Sequence, residues 1–159
     1  MSAATTIASK SPANAISGKL AAGTAAGPFN AQVASAILRI TLGVMYLTHS
    51  VLLKVFVFGV AGTVGFFESL GLPGAFAYLT IFAEAIGGTL LVLGVGTRAV
   101  ALALIPILAG ATWVHSGNGW VFSNSGGGWE YPVFLIVVSV VVALLDRGSL
   151  KPRLLAPVG

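Results

Sequence analysis

Long apolar segments with almost no charge dominate this chain, and they restrict it to a membrane. The segment from Ala75 to Leu93 contains one charged side chain, Glu84, and about 20 apolar residues suffice to cross the hydrocarbon core of a bilayer. Of the 159 residues, 57% are hydrophobic and 8% are charged, whereas a soluble domain carries about 25% charge. The sequence therefore predicts an all-α integral membrane protein, a four-transmembrane-helix bundle in contact with the lipid bilayer.

Four segments are predicted to cross the bilayer. Their approximate bounds are residues 33–53, 75–93, 98–115 and 129–146. Pro106 should kink the third span, because proline removes one backbone hydrogen bond. The linker before the second span is apolar but interrupted by glycines and Pro73, so we expect it to pack at the interface or dip inward rather than cross.

The two ends of the chain are predicted to be tails on one side of the membrane. Residues 1–30 are rich in Ala, Ser, Thr and Gly, which is typical of a disordered tail. The membrane domain is expected at 31–150, and a short cytoplasmic tail at 151–159. The positive-inside rule places both termini in the cytoplasm, because one side carries all but one of the basic residues counted beside the spans. Those on that side are Lys10, Lys19, Arg98, Arg147, Lys151 and Arg153.

Composition excludes several classes of chemistry. The chain has no cysteine, so it forms no disulfide, thiolate metal site or thiol–disulfide catalyst of its own. The net charge is +4, but the basic residues are scattered and form no stripe that would bind nucleic acid. We expect no metal site and no covalently bound cofactor.

Two charged residues inside the apolar spans are the candidate catalytic pair, Arg39 and Glu84. A charge at the centre of a bilayer costs at least about 2.5 kcal/mol unless it is paired or hydrated, so we expect the two side chains to pair. One interpretation is a buried ion pair that only fixes helix register. The other makes Glu84 a proton acceptor or ligand-binding carboxyl whose ionisation Arg39 tunes.

A second polar group is predicted near the opposite, outer face of the bundle. An imidazole or ammonium group can donate to a carbonyl oxygen of a quinone and, with a carboxylate nearby, relay its proton. Alternatively, these side chains simply extend to water at the interface, and the tryptophans form an aromatic belt. The candidate ligand-binding residues are His49, Lys54, His115, Glu130 and Trp113.

The order of several short motifs resembles that of the DoxX family of small membrane proteins. These are RITLGVMYLTHSVLLK, GLPGAFAYL, AEAIGGTLLVLGVGTRAVALAL and GGGWEYP, spread over residues 33–150. The resemblance implies a four-helix bundle and, through the related DoxD subunit, a role beside thiosulfate:quinone or terminal quinol oxidation. One departure is that His49 is followed by serine, where many members have glycine. The polar residues that fit the family pattern are Arg39, Lys54, Glu84 and Glu130.

We therefore expect a membrane subunit of a quinone-linked oxidoreductase system in a bacterial or archaeal plasma membrane. It would bind a quinone or support proton and electron transfer with a protein partner, as part of an oxidoreductase complex. One alternative is a non-catalytic membrane anchor or assembly subunit. Another is a small transporter or a proton path lined by Glu84.

Overall fold

Helices make up almost all of the part of the chain that the structure describes. The computed structural model describes residues 31–146. The tails predicted at 1–30 and 151–159 lie outside these residues, as do most of the basic residues used to orient the protein. Helix α1 (Ala31–Leu47) continues directly as a π-helical segment (Thr48–Val57). The other helices are α2 (Gly59–Ser69), α3 (Ala75–Leu93), α4 (Thr97–Ala103), α5 (Ile105–His115) and α6 (Glu130–Leu145).

Three helical stretches in the described residues are long and apolar enough to cross a bilayer. They are Gln32–Val57, Ala75–Leu93 and Thr97–Asn118, in agreement with the first three predicted spans. Helix α6 has 16 residues and is about 24 Å long, which is short for a core of about 30 Å. The fourth crossing and the cytoplasmic location of the termini stay predictions.

The turn between α3 and α4 forms because glycine supplies the backbone angles that end a helix. Gly94 has φ 74°; the N–H of Val95 bonds to Leu90 O at 3.0 Å and that of Gly94 to Leu91 O at 3.2 Å, the Schellman pattern. Beyond the turn, the third span is interrupted at Leu104, the residue between α4 and α5. Pro106 follows it and has no N–H to continue the ladder, so the predicted interruption is confirmed.

The linker after the first span forms a helix of its own. Helix α2 has 11 residues, about 17 Å, too few to cross a bilayer. It packs against the π-helical segment and α3, and Thr63 Oγ1 donates to Lys54 O at 2.9 Å. This agrees with the prediction that the linker does not cross.

Helices α1 and α3 pack closely because two glycines, Gly43 and Gly88, face each other between them. A Cβ atom on Gly88 would lie 2.8 Å from the carbonyl oxygen of Gly43, and one on Gly43 would lie 2.7 Å from that of Gly88. Small residues allow such close backbone approach between membrane helices. The contact fixes α1 and α3 as antiparallel neighbours in one register. We call the bundle end with the α3–α4 turn the turn side, and the end with residues 116–129 the loop side.

Candidate functional site

A buried ion pair lies between the π-helical segment and α3. Lys54 Nζ lies 2.5 Å from Glu84 Oε2, and the two side chains are 20% and 7% exposed. Glu84 is in the middle of α3, so the carboxylate lies far from either end of that helix. A charge in this position needs a partner, since an unpaired one is strongly destabilising.

The predicted pair between Arg39 and Glu84 is wrong. The Arg39 guanidinium instead donates to two carbonyl oxygens at the end of α3, Leu91 O and, at 2.8 Å, Val92 O. The register of α1 against α3 is the physical reason, because the glycine contact places Arg39 beside the last turn of α3. The carbonyls of a last helical turn have no partner within their own helix. Leu91 O also accepts from the Gly94 N–H of the turn, whereas Val92 O receives its donor from Arg39.

His49 lies next to the ion pair on the same π-helical segment. Its Nδ1 donates to Met45 O at 2.8 Å, which leaves Nε2 as the acceptor nitrogen. The ring stacks on Tyr131 with centroids 5.9 Å apart and planes at 26°, and His49 is within electrostatic range of the Glu84 carboxylate. The structure therefore brings together Lys54, Glu84 and His49, two of which were predicted as ligand-binding and one as catalytic.

Two tyrosines next to this group have hydroxyls that lack a well-formed hydrogen bond among the described residues. Tyr46 is 3% exposed, and its hydroxyl is directed towards Ser139 and within electrostatic range of Glu84. Ser139 itself is fully buried and donates to Leu135 O at 2.8 Å. Tyr131 is the second orphaned hydroxyl. We call Tyr46, His49, Lys54, Glu84 and Tyr131 the polar cluster.

Tyr46 and Tyr131 were not predicted as residues of this site. Tyr46, Ser50 and Lys54 follow one another at intervals of four residues, and that spacing keeps side chains on one helix face. A π-helix, with its wider i→i+5 turn, is rare and occurs often at functional sites; nothing in the sequence pattern distinguished it from a regular helix.

The other predicted ligand-binding residues lie on the loop side and bond within the loop. His115 Nδ1 donates to Gly126 O at 3.0 Å, and Glu130 Oε1 accepts from Phe122 N at 2.8 Å. Trp113 is 60% exposed, and no described contact joins it to the polar cluster. Among the described residues, hydrogen bonds thus join His115 and Glu130 to the loop, whereas His49 and Lys54 belong to the polar cluster.

An open, largely apolar groove of about 410 Å³ lies beside the loop. Its wall includes Trp120, whose ring meets that of Trp129 edge to face with centroids 4.5 Å apart. Tyr131 belongs both to this groove and to the polar cluster, so it connects the two. The lining residues are Trp120, Phe122, Glu130, Tyr131, Val133 and Phe134.

The charged side chains do not converge as metal ligands in the part of the chain that the structure describes. Among residues 31–146, no three His, Asp or Glu side chains are grouped closely enough to hold a metal ion. The chemistry that the cluster can perform is instead proton exchange and hydrogen bonding. It offers an ammonium, a carboxylate, an imidazole and two phenols within one buried region.

Comparison with known proteins gives two findings. Residues 34–117 match the family described as DoxX. A protein of Bacillus subtilis (strain 168) named "Putative oxidoreductase CatD" is 31% identical over 113 residues, which are 71% of this chain and 79% of that protein. No solved structure gives a significant match.

Proposed function

Because the chain belongs to the DoxX family and has helices suited to a bilayer, we propose that it is the quinone-binding membrane subunit of an oxidoreductase system. The observation that carries the proposal is the Lys54–Glu84 pair, buried midway along α3 and surrounded by titratable side chains. An intramembrane ion pair in a rare π-helical segment is a functional feature by default. The name of the Bacillus relative supports the oxidoreductase class.

The residues present fit a quinone. A quinone has two carbonyl oxygens that need hydrogen-bond donors, and the Tyr131 hydroxyl is a donor without a described partner. The adjoining groove presents mainly apolar atoms around Trp120 and Phe134, as a hydrophobic ring and tail require. A bound quinone would supply the capacity to accept two electrons and two protons.

Each member of the cluster has a distinct task in this proposal. Lys54 and Tyr131 donate hydrogen bonds that polarise a carbonyl oxygen, since an ammonium and a phenol are both donors. Glu84 holds the ammonium in place and accepts or returns its proton. His49, whose Nε2 is the acceptor nitrogen, exchanges protons with the loop side.

In this proposal the electrons come from another protein. The chain contains no cysteine, so neither a dithiol nor a cysteine-ligated iron–sulfur cluster can be formed from its own side chains. We therefore include in the proposal a partner protein that carries the electron donor. The catalytic role predicted for Arg39 becomes structural, because its guanidinium is engaged by the end of α3.

The test measures the binding of short-chain ubiquinone and menaquinone analogues to the purified protein in detergent. Binding is detected by the quenching of tryptophan fluorescence. Tyr131→Phe and Lys54→Met should each weaken binding at least tenfold. Gly110→Ala is the control, because its Cβ would meet open space and all three tryptophans stay in place, and it should bind as the wild type does. Native mass spectrometry of protein released from its own membrane adds a second readout.

Two results would contradict the proposal. Equal quenching by all variants would mean that the analogues partition into the micelle rather than bind a site. A stoichiometric protein partner with no retained quinone, and no effect of Lys54→Met, would favour the anchoring or assembly role.

A further inference from the structure

Two polar layers cross the bundle at different depths. The first contains Tyr46, Glu84 and Ser139. The second contains Arg39, the α3 carbonyls that it binds, and Asp146, whose Oδ2 accepts from the backbone N–H of Arg98 at 3.1 Å. On α1, α3 and α6 alike, seven residues separate one layer from the other, or about 10 Å along each axis.

Buried apolar side chains fill the space between these layers. Leu42, Leu91 and Val142 are 1%, 0% and 0% exposed and belong to one core cluster. Beside them, the backbones of Gly43 and Gly88 approach so closely that neither has room for a methyl group. A buried water needs two to four polar partners, and apolar cavities stay dry. We call this region, bounded by the two polar layers, the dry layer.

The loop side of the first polar layer is different. The Lys54 side chain is 20% exposed, and His49 and Tyr131 are half-buried. Tyr131 also lines the groove next to the loop. Polar side chains therefore follow the ion pair on its loop side, at His49 and Tyr131, whereas towards the turn side the core is apolar for about two helical turns.

We infer that protons reach the Lys54–Glu84 pair from the loop side alone, and that the dry layer insulates the pair from the turn side. Any proton that the pair takes up or releases is then exchanged with one compartment, and the protein does not conduct protons across the membrane. The inference rests on the proposed function only for the use of the proton, not for its route.

The first test is proton flux into liposomes that contain the purified full chain and an internal pH dye, driven by a potassium gradient with valinomycin. The wild type should give the same rate as protein-free vesicles, while added gramicidin gives a large increase. A wild-type rate above that of empty vesicles would overturn the inference.

The second test measures water access directly, and the absence of native cysteine allows single thiols to be used. Thiols react through the thiolate, which requires water. In His49→Cys, an impermeant trimethylammonium methanethiosulfonate should modify the thiol from one side of sealed membrane vesicles only. In Val142→Cys it should modify the thiol from neither side. Modification of Val142→Cys, or of His49→Cys from both sides or neither, would refute one-sided access.

These outcomes are independent of ligand binding. A protein that binds no quinone but passes both tests loses the proposed function and keeps the one-sided route. A protein that binds quinone and conducts protons keeps the proposed function and loses the one-sided route.

Discussion

Removing the two charges of the Lys54–Glu84 pair one at a time and together tests whether the pair is coupled. Breaking a buried pair typically costs about 3–5 kcal/mol, whereas replacing both partners by neutral groups is often nearly neutral. The two single changes should lower the free energy of unfolding by different amounts, since the Lys54 side chain is 20% exposed and that of Glu84 only 7%.

Glu84→Gln leaves an ammonium on a flexible stem, which can turn towards loop-side water. We expect it to lower the free energy of unfolding by about 1 kcal/mol, in the range of a lost hydrogen bond. Lys54→Met leaves a carboxylate in the middle of α3 that has no such escape, and we expect a loss of about 3 kcal/mol. The double variant should return to within about 1 kcal/mol of the wild type.

The assay is unfolding in mixed micelles of dodecyl maltoside with increasing SDS, followed by circular dichroism of the helices. The cycle should give a coupling energy of at least about 2 kcal/mol, since contacting residues couple by about 0.5–3 kcal/mol. Additive losses, or a Glu84→Gln loss larger than that of Lys54→Met, would refute the reasoning that the carboxylate depends on the ammonium.

Three further predictions concern residues around the site. Gly88→Ala should destabilise the protein in the same assay by about 1–3 kcal/mol through overpacking, while Gly110→Ala, whose Cβ would meet open space, should not. Arg39→Met should cost about 1–3 kcal/mol, because Nη1 of Arg39 donates to two α3 carbonyl oxygens and both lose this donor; an unchanged midpoint would contradict this. Glu130→Ala removes the acceptor of the Phe122 N–H. The loop should then expose its tryptophans to more water, which red-shifts their emission. Glu130→Gln keeps an acceptor oxygen and should leave the emission unchanged.

The helix pattern could be predicted from the sequence because local signals determine it. The span Ala75–Leu93 has the expected bounds: Pro73 and Gly74 precede it, and Gly94 supplies the left-handed residue that ends it. Pro106 likewise predicts the interruption of the third span by itself. These features depend on the residues next to them in the chain and need no knowledge of the partner helices.

The partners of the charged residues could not be predicted in the same way. The prediction that Arg39 pairs with Glu84 followed from the cost of an isolated charge in a bilayer, which requires a partner but does not identify it. The register of α1 against α3 follows from the contact between Gly43 and Gly88. Residues next to each glycine in the chain do not predict this contact. Lys54 was predicted as a ligand-binding residue, with extension to interfacial water as the alternative, and its contact with Glu84 at 2.5 Å was not predicted.

The glycine contact also has a consequence for how sequences of this kind can vary. Since Gly43 fixes α1 against α3, one residue inserted or deleted between Gly43 and Lys54 would turn the lysine to another face of the helix, away from Glu84. The length of that interval is therefore restricted, whereas the loop at 116–129 can change in length without moving the ion pair. Among relatives, we expect insertions and deletions to occur in the loop and to be absent between the contact glycine and the lysine.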